Sequence, residues 1–247
     1  MKKERIDILL VERGLADSIS MARAMIMSGV VLHDEFRVDK PSQILPIESV
    51  IRIKGAEARS KYVGRGGQKM EAALMSFHIR PNEYVCLDIG ASTGGFTDCL
   101  LQHGAKHVTA IDVGTNQLVW SLRDDPRVQV RENTNARNLS VNDFDLPFDL
   151  AVMDVSFISA TKIIPSIFPV LKENGNLIVL IKPQFEVEKG EVGKGGIVRE
   201  PEQHQRVVAS VNAFAETTGF FVCGVIDSPI LGAEGNREFL ALYAKRK

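Results

Sequence analysis

Two polar residues in this 247-residue sequence stand where apolar runs end. Asp154 follows the run 150–153, and Lys182 follows the run 177–181. In a parallel sheet such residues emerge at the carboxyl edge of the strands, where ligands bind, so both are expected to face one crevice. A lysine whose charge is disfavoured by burial can accept a proton from a very weak acid such as a sugar hydroxyl. Orienting that hydroxyl and holding the lysine calls for more than one pair. Lys69, near the start of a helix before the first strand of the sheet, and Glu238, at the start of the last strand, are placed to close on the same site.

A second constellation lies between them. Asp88-Ile89-Gly90-Ala91-Ser92-Thr93-Gly94-Gly95-Phe96 follows a strand and opens a helix, and its small residues let backbone approach a ligand closely. The dinucleotide pattern G-x-G-x-x-G fails because Ser92 occupies the second glycine position, and a P-loop fails because Phe96 stands where lysine is required. Asp112 ends the next strand, where a carboxylate can accept both ribose hydroxyls of a nucleoside. Asn135 and Ala136, after the third strand, fall where an adenine edge would lie. The expected ligand is a nucleoside without a pyrophosphate, and S-adenosylmethionine meets that description. With such a cofactor, the deprotonated hydroxyl would take a methyl group.

The elements that must carry these residues read as an α/β chain. Apolar spacing predicts helices over 6–13 and 18–28, then short strands at 30–32, 36–38 and 50–53, a compact α+β unit. Residues 54–68 are polar, basic and glycine-rich and read as a linker into a helix over 68–78. Strands at 84–88, 107–111, 128–130, 150–154 and 177–182 then alternate with helices at 95–103, 116–122, 160–171 and 201–217, the pattern of a doubly wound, Rossmann-like sheet. Two final strands, 220–227 and 237–244, have no helix between them and predict an antiparallel hairpin at one edge. The domain expectation is 1–58, a linker over 59–68, and 69–247.

Hydrophobic residues make up 45% and charged residues 25% of the chain, so a folded globular protein is expected and a disordered one excluded. No apolar run approaches the roughly 18 residues of a membrane span, and no h-region follows Met1-Lys2-Lys3-Glu4-Arg5; the expectation is a cytoplasmic protein with no membrane partner. Cys86, Cys99 and Cys223 are widely spaced, which suggests neither a disulfide framework nor a metal site. The formal charge of −1 conceals an asymmetry: +4 over residues 1–69 and −5 over the remainder. A basic front unit points to a polyanion partner.

With Lys69, Asp154, Lys182 and Glu238 in this order and local context, the chain resembles the FtsJ-like ribose 2′-O-methyltransferases and their Lys-Asp-Lys-Glu tetrad. Over its whole length it resembles the hemolysin A (TlyA) family, in which an S4 RNA-binding domain precedes that catalytic domain. The segments carrying the resemblance are 61–69, 88–96, Asp154-Val155-Ser156-Phe157-Ile158-Ser159, Lys182-Pro183-Gln184-Phe185-Glu186 and Gly235-Asn236-Arg237-Glu238. The resemblance implies a catalytic tetrad at those four positions, S-adenosylmethionine as cofactor, and methylation of cytidine ribose in ribosomal RNA, free or in ribosomal subunits. It also implies phosphate contacts from Arg5, Arg13, Arg23 and Lys40 of the front unit, with Arg65 at the linker.

Three other readings compete: a noncatalytic module binding cofactor and RNA, a methyltransferase acting on protein or a small molecule, and a membrane-active hemolysin. The filled tetrad disfavours the first, and the absence of an apolar span or a strongly amphipathic cationic helix disfavours the last. The oligomeric state is left open.

Overall fold

The computed structural model describes residues 3–13, 15–16, 18–34, 36–54, 61–188, 190–193, 195–232 and 235–246. The chain divides into two compact units, residues 1–59 and 60–247.

The first unit runs β1 (Lys3–Arg5), α1 (Ile6–Glu12), α2 (Ile19–Met27), β2 (Val31–His33), β3 (Phe36–Arg37), β4 (Ile44–Pro46) and β5 (Ile51–Ile53). Helical spacing buries Ile6, Leu9 and Leu10 of α1 against Ala22 and Ile26 of α2, and Val31 closes the core. Ser18 caps α2 by accepting a hydrogen bond from Met21 N–H at 3.1 Å. The strands form a three-stranded antiparallel sheet in the order β3-β2-β5 and a separate β1–β4 pair. That pair has no sequence signal, because Lys3-Glu4-Arg5 lacks any apolar alternation.

The second unit carries α3 (Gly66–Ser76), β6 (Val85–Ile89), α4 (Gly95–Gln102), β7 (His107–Ile111), α5 (Trp120–Arg123), β8 (Val128–Arg131), β9 (Phe148–Met153), α6 (Ile164–Ile167), β10 (Leu171–Ile181), α7 (Pro201–Thr217), β11 (Phe220–Asp227) and β12 (Phe239–Lys245). Its seven strands are ordered β11-β12-β10-β9-β6-β7-β8; β6 to β10 are parallel, and β12 is antiparallel to both its neighbours. Side-chain alternation covers both faces. Cys86, Leu150, Val152, Ile178 and Leu180 pack with α3 and α4, whereas Leu87, Ile89, Ala151, Met153, Leu177 and Val179 pack with α6 and α7.

The sequence expectations fail in four places within this unit, the first being the helix expected over 116–122, which shrinks to the single turn α5. The helix expected over 160–171 is broken into single turns, because Pro165 and Pro169 remove backbone donors and clash with the preceding turn. β10 begins at Leu171, six residues early, with its register to β9 interrupted between Leu171 and Asn176. The linker expected over 59–68 is shorter, since α3 starts at Gly66 and Tyr62 is buried in the core. A Cβ at Gly67 would lie 2.2 Å from Tyr62 Cγ, so Gly67, one of the two glycines that disguise the helix start, is what lets Tyr62 pack beneath it.

Candidate active site

The strand order reverses direction between β6 and β9, and in open α/β sheets the crevice outside the carboxyl ends at such a point binds ligands. Pairing of Ile89 with Met153 sets Gly90 beside Asp154, whose N–H donates to Ile89 O at 2.9 Å. The antiparallel pairing of Ile181 with Phe239 brings the start of β12 to the end of β10, so Glu238 and Lys182 share the same edge. Lys69 arrives from the first turn of α3, which approaches α4 backbone to backbone: a Cβ at Gly95 would lie 2.9 Å from Gly67 N.

The four residues meet as two ion pairs around one cavity of about 540 Å³. Lys69 Nζ donates to Glu238 Oε2 at 2.5 Å, with the lysine side chain 9% and the glutamate 2% exposed. Lys182 Nζ lies 2.6 Å from Asp154 Oδ1, off the direction of a hydrogen bond, and donates to Ser156 Oγ at 2.9 Å. Their charge identities matter because a buried ion needs its partner: without one, it carries an uncompensated desolvation cost.

The glycine turn forms another wall, contributed by Gly90, Ala91, Ser92, Thr93, Gly95 and Phe96. Gly90 has φ of +79°, and a Cβ there would stand 2.4 Å from Asp154 O, so no side chain fits. Gly94 begins α4 at φ of +102° but does not line the cavity. Asp88 lies fully buried beneath the turn. Thr97 Oγ1 donates to its Oδ2 at 2.6 Å, its Oδ1 has no partner among the described residues, and burial pushes its carboxyl up to about 7. An orphaned buried oxygen next to a cradle that excludes side chains fits a close-lying cationic ligand.

Asp112, Asn135 and Ala136 do not line the cavity. Both Asp112 oxygens accept backbone N–H groups, from Ser92 at 2.9 Å and Gly114 at 2.7 Å, so this carboxylate ties the glycine turn to the loop after β7. Asn135 caps its own turn by accepting from Arg137 N–H, and Ala136 is buried with its carbonyl accepting from Ser166 Oγ. The positional reading of an adenine edge at 135–136 has no support in this geometry.

The sequence reading also left lining residues without roles. Phe157 is 92% exposed at the rim, in a left-handed backbone conformation with φ of +64°, and its ring centroid lies 5.2 Å from that of Phe185. A bulky residue held at positive φ is strained, and such strain clusters at ligand sites. Gln184, Val192, Gly196 and Asn236 line the cavity as well. The only signal for 190–196 was its glycine density.

Of the expected RNA contacts, Arg65 is exposed and lines the cavity, and Lys40 is exposed. The other three are engaged in the first unit. Arg5 and Arg23 both bind the buried Asp7 carboxylate, through Arg5 NH2 at 2.7 Å and Arg23 Nε at 3.0 Å, which holds that carboxyl down at about 2. Arg13 donates to the carbonyls of Ser49, at 2.6 Å, and Ile47. These three arginines thus also hold this unit together, with the Arg5 and Arg23 side chains still 40% and 55% exposed.

Comparison with known proteins agrees with the fold. An FtsJ-like methyltransferase family model matches residues 62–245, and an S4 domain model matches residues 4–51. A protein of Bacillus subtilis (strain 168) named YqxC, described as a proposed rRNA methyltransferase, is 46% identical over 241 residues, covering 97% of this chain and 85% of the relative. The 16S/23S rRNA (cytidine-2′-O)-methyltransferase TlyA of Mycobacterium tuberculosis (strain ATCC 25618 / H37Rv) is 42% identical over 238 residues, 96% of this chain and 88% of TlyA. The solved structure of a candidate hemolysin from Streptococcus thermophilus superposes with a TM-score of 0.76 at 44% identity, covering 100% of this chain and 90% of the other. No helix among the described residues is long and apolar enough to cross a membrane. The chain belongs to the FtsJ-like methyltransferases, in the TlyA/hemolysin A group that carries an S4 domain ahead of the catalytic unit.

Proposed function

We propose that this protein methylates the ribose 2′-hydroxyl of cytidine in ribosomal RNA, using S-adenosylmethionine. The observation that carries the reading is the convergence of Lys69, Asp154, Lys182 and Glu238 as two ion pairs around the cavity behind the glycine turn. When bound, the cofactor supplies a methyl group on a sulfonium, an electrophile that lacks only a nucleophile. Gly90, Ala91, Ser92 and Thr93 would hold it, with Asp88 beneath.

Lys182 Nζ would take the proton of the ribose hydroxyl, leaving the oxygen free to receive the methyl group that the cofactor would supply. The Asp154 carboxylate, 2.6 Å from Nζ, would stabilise the ammonium that carries the proton. The Lys69–Glu238 pair fixes a charge and an acceptor at the edge of the cavity, where they orient the ribose.

Phe157 is the group suited to the base. An exposed ring at the rim offers a stacking surface to a nucleotide turned out of its helix, and stacking is worth about 1–3 kcal/mol per base. Phe157→Ala is expected to raise KM for RNA by roughly 5- to 100-fold while leaving cofactor affinity unchanged; steady-state kinetics against both substrates checks this.

Asp88 gives the reading a pH dependence. In the free protein its carboxyl titrates near 7, raised by burial. A bound cation favours the carboxylate, so cofactor binding should release a proton below that pH and weaken as pH falls through 7. Calorimetric titration is expected to give about tenfold weaker binding at pH 6 than at pH 8, and Asp88→Asn should abolish the difference. Equal affinity at both values contradicts the placement of Asp88 at the cofactor.

The experiment that tests the function as a whole is mapping ribose methylation on ribosomal RNA from cells with and without the protein. A cytidine methylated only in its presence supports the proposal, and identical maps overturn it.

A further inference from the structure

Within Gly235-Asn236-Arg237-Glu238, only Glu238 takes part in the chemistry above. Asn236 is 1% exposed and lines the cavity two residues before Glu238. Its side-chain amide grips the end of a glycine-rich turn at two points: Nδ2 donates to Gly196 O at 2.9 Å, and Val198 N–H donates to Oδ1 at 3.0 Å. One amide therefore satisfies a backbone acceptor and a backbone donor two residues apart, holding both peptides against the start of the last strand. The Val198 peptide is held from its other end too, with His204 Nε2 3.0 Å from Val198 O.

The gripped segment needs such an anchor. Val192 and Gly196 line the cavity, yet the stretch holds Gly190, Gly193, Gly195 and Gly196, and a Cβ at Gly190 or Gly195 would meet nothing within 4 Å. Val198 is its first fully buried apolar side chain. A glycine-rich stretch with so little side-chain packing loses much conformational entropy when it is ordered. Specific hydrogen bonds must offset that loss, and the Asn236 amide supplies two from the strand entry that also bears Glu238.

We propose that Asn236 is a positioning residue: its amide docks residues 196–198, of which Gly196 is part of the cavity wall, and so shapes the space that receives the RNA ribose. The second half of this statement rests on the proposed function. Asn236 touches no reacting atom; it acts through the wall it holds.

The test compares the full-length wild type with Asn236→Ala and Asn236→Asp. The aspartate keeps the acceptor for Val198 N–H but turns a second acceptor against Gly196 O. Trypsin reports docking directly, since Lys189, Lys194 and Arg199 supply cleavable bonds in and beside the segment. For the alanine variant the expected result is at least tenfold faster cleavage at these bonds and at least tenfold higher KM for ribosomal RNA, with kcat and cofactor Kd within threefold of wild type; the aspartate variant should fall between. Unchanged cleavage overturns the docking role. Faster cleavage with unchanged KM for RNA, or a parallel loss of cofactor affinity and folded protein, overturns the positioning role. Should the wild type transfer no methyl to RNA, the functional reading fails, while the cleavage rates still decide whether Asn236 docks the segment.

Discussion

Lys182→Ala is expected to lower the rate of methyl transfer by about 100- to 10,000-fold, the usual contribution of a positioned general base, with cofactor affinity retained. The geometry sets this expectation: Nζ sits at the carboxyl end of β10, 2.6 Å from Asp154 Oδ1 and 2.9 Å from Ser156 Oγ. The pair is less buried than Lys69–Glu238, so leaving Asp154 without its cation should cost less stability than breaking that pair. Single-turnover kinetics with saturating cofactor separates the chemical step from binding. A loss smaller than about tenfold would leave Lys182 a structural partner of Asp154 and assign the proton to another group. A variant that fails to bind cofactor would instead place the ammonium in the binding site.

The Lys69–Glu238 pair supports a second prediction, in which stability and catalysis part company. Both groups are nearly inaccessible, so removing one strands the other as an uncompensated buried charge at a cost of about 3–5 kcal/mol. Lys69→Met and Glu238→Met are each expected to show that loss in urea unfolding followed by far-UV circular dichroism. Combining them removes both charges and replaces the pair with apolar groups of similar length, an exchange that is often neutral or better. The double variant should therefore recover most of the stability and none of the activity. A double variant that methylates RNA at the wild-type rate would show that the pair serves only the fold.

These residues were legible in the sequence because strand ends are. Apolar runs at 150–153 and 177–181 announce where a polar head emerges, and alternation of strands with helices announces a parallel sheet with its ligand edge at those ends. The antiparallel return of β12, legible as two strands without a helix between them, explains how Glu238 reaches the edge where Lys182 lies. Prolines at 165 and 169 cut a segment whose apolar spacing alone resembled one helix.

Other features had no local signal. The Asp7 cluster could not be read from composition, because Arg23 reaches Asp7 only across the α1–α2 packing, and charge counting credits both guanidinium groups to the surface. Exposure of Phe157 depends on a backbone turn with positive φ, which an aromatic residue in sequence does not suggest. The segment 190–198 has glycines where periodicity would be needed, and its docking depends on an asparagine about 40 residues away. Asp112 shows a contact of another kind: a carboxylate at the expected strand end accepts one backbone N–H on each oxygen from the turns around it, which the sequence does not announce.

The central claim is that one sugar oxygen, activated beside Lys182, receives the methyl group. Incubating the protein and ribosomal subunits with cofactor labelled in its methyl group, then hydrolysing the recovered RNA in alkali, tests it most directly, because a 2′-O-methyl group blocks cleavage of its own phosphodiester. The expected result is label in alkali-stable dinucleotides with cytidine at the 5′ position. Label released in mononucleotides, as base methylation would give, or label recovered in protein would contradict it.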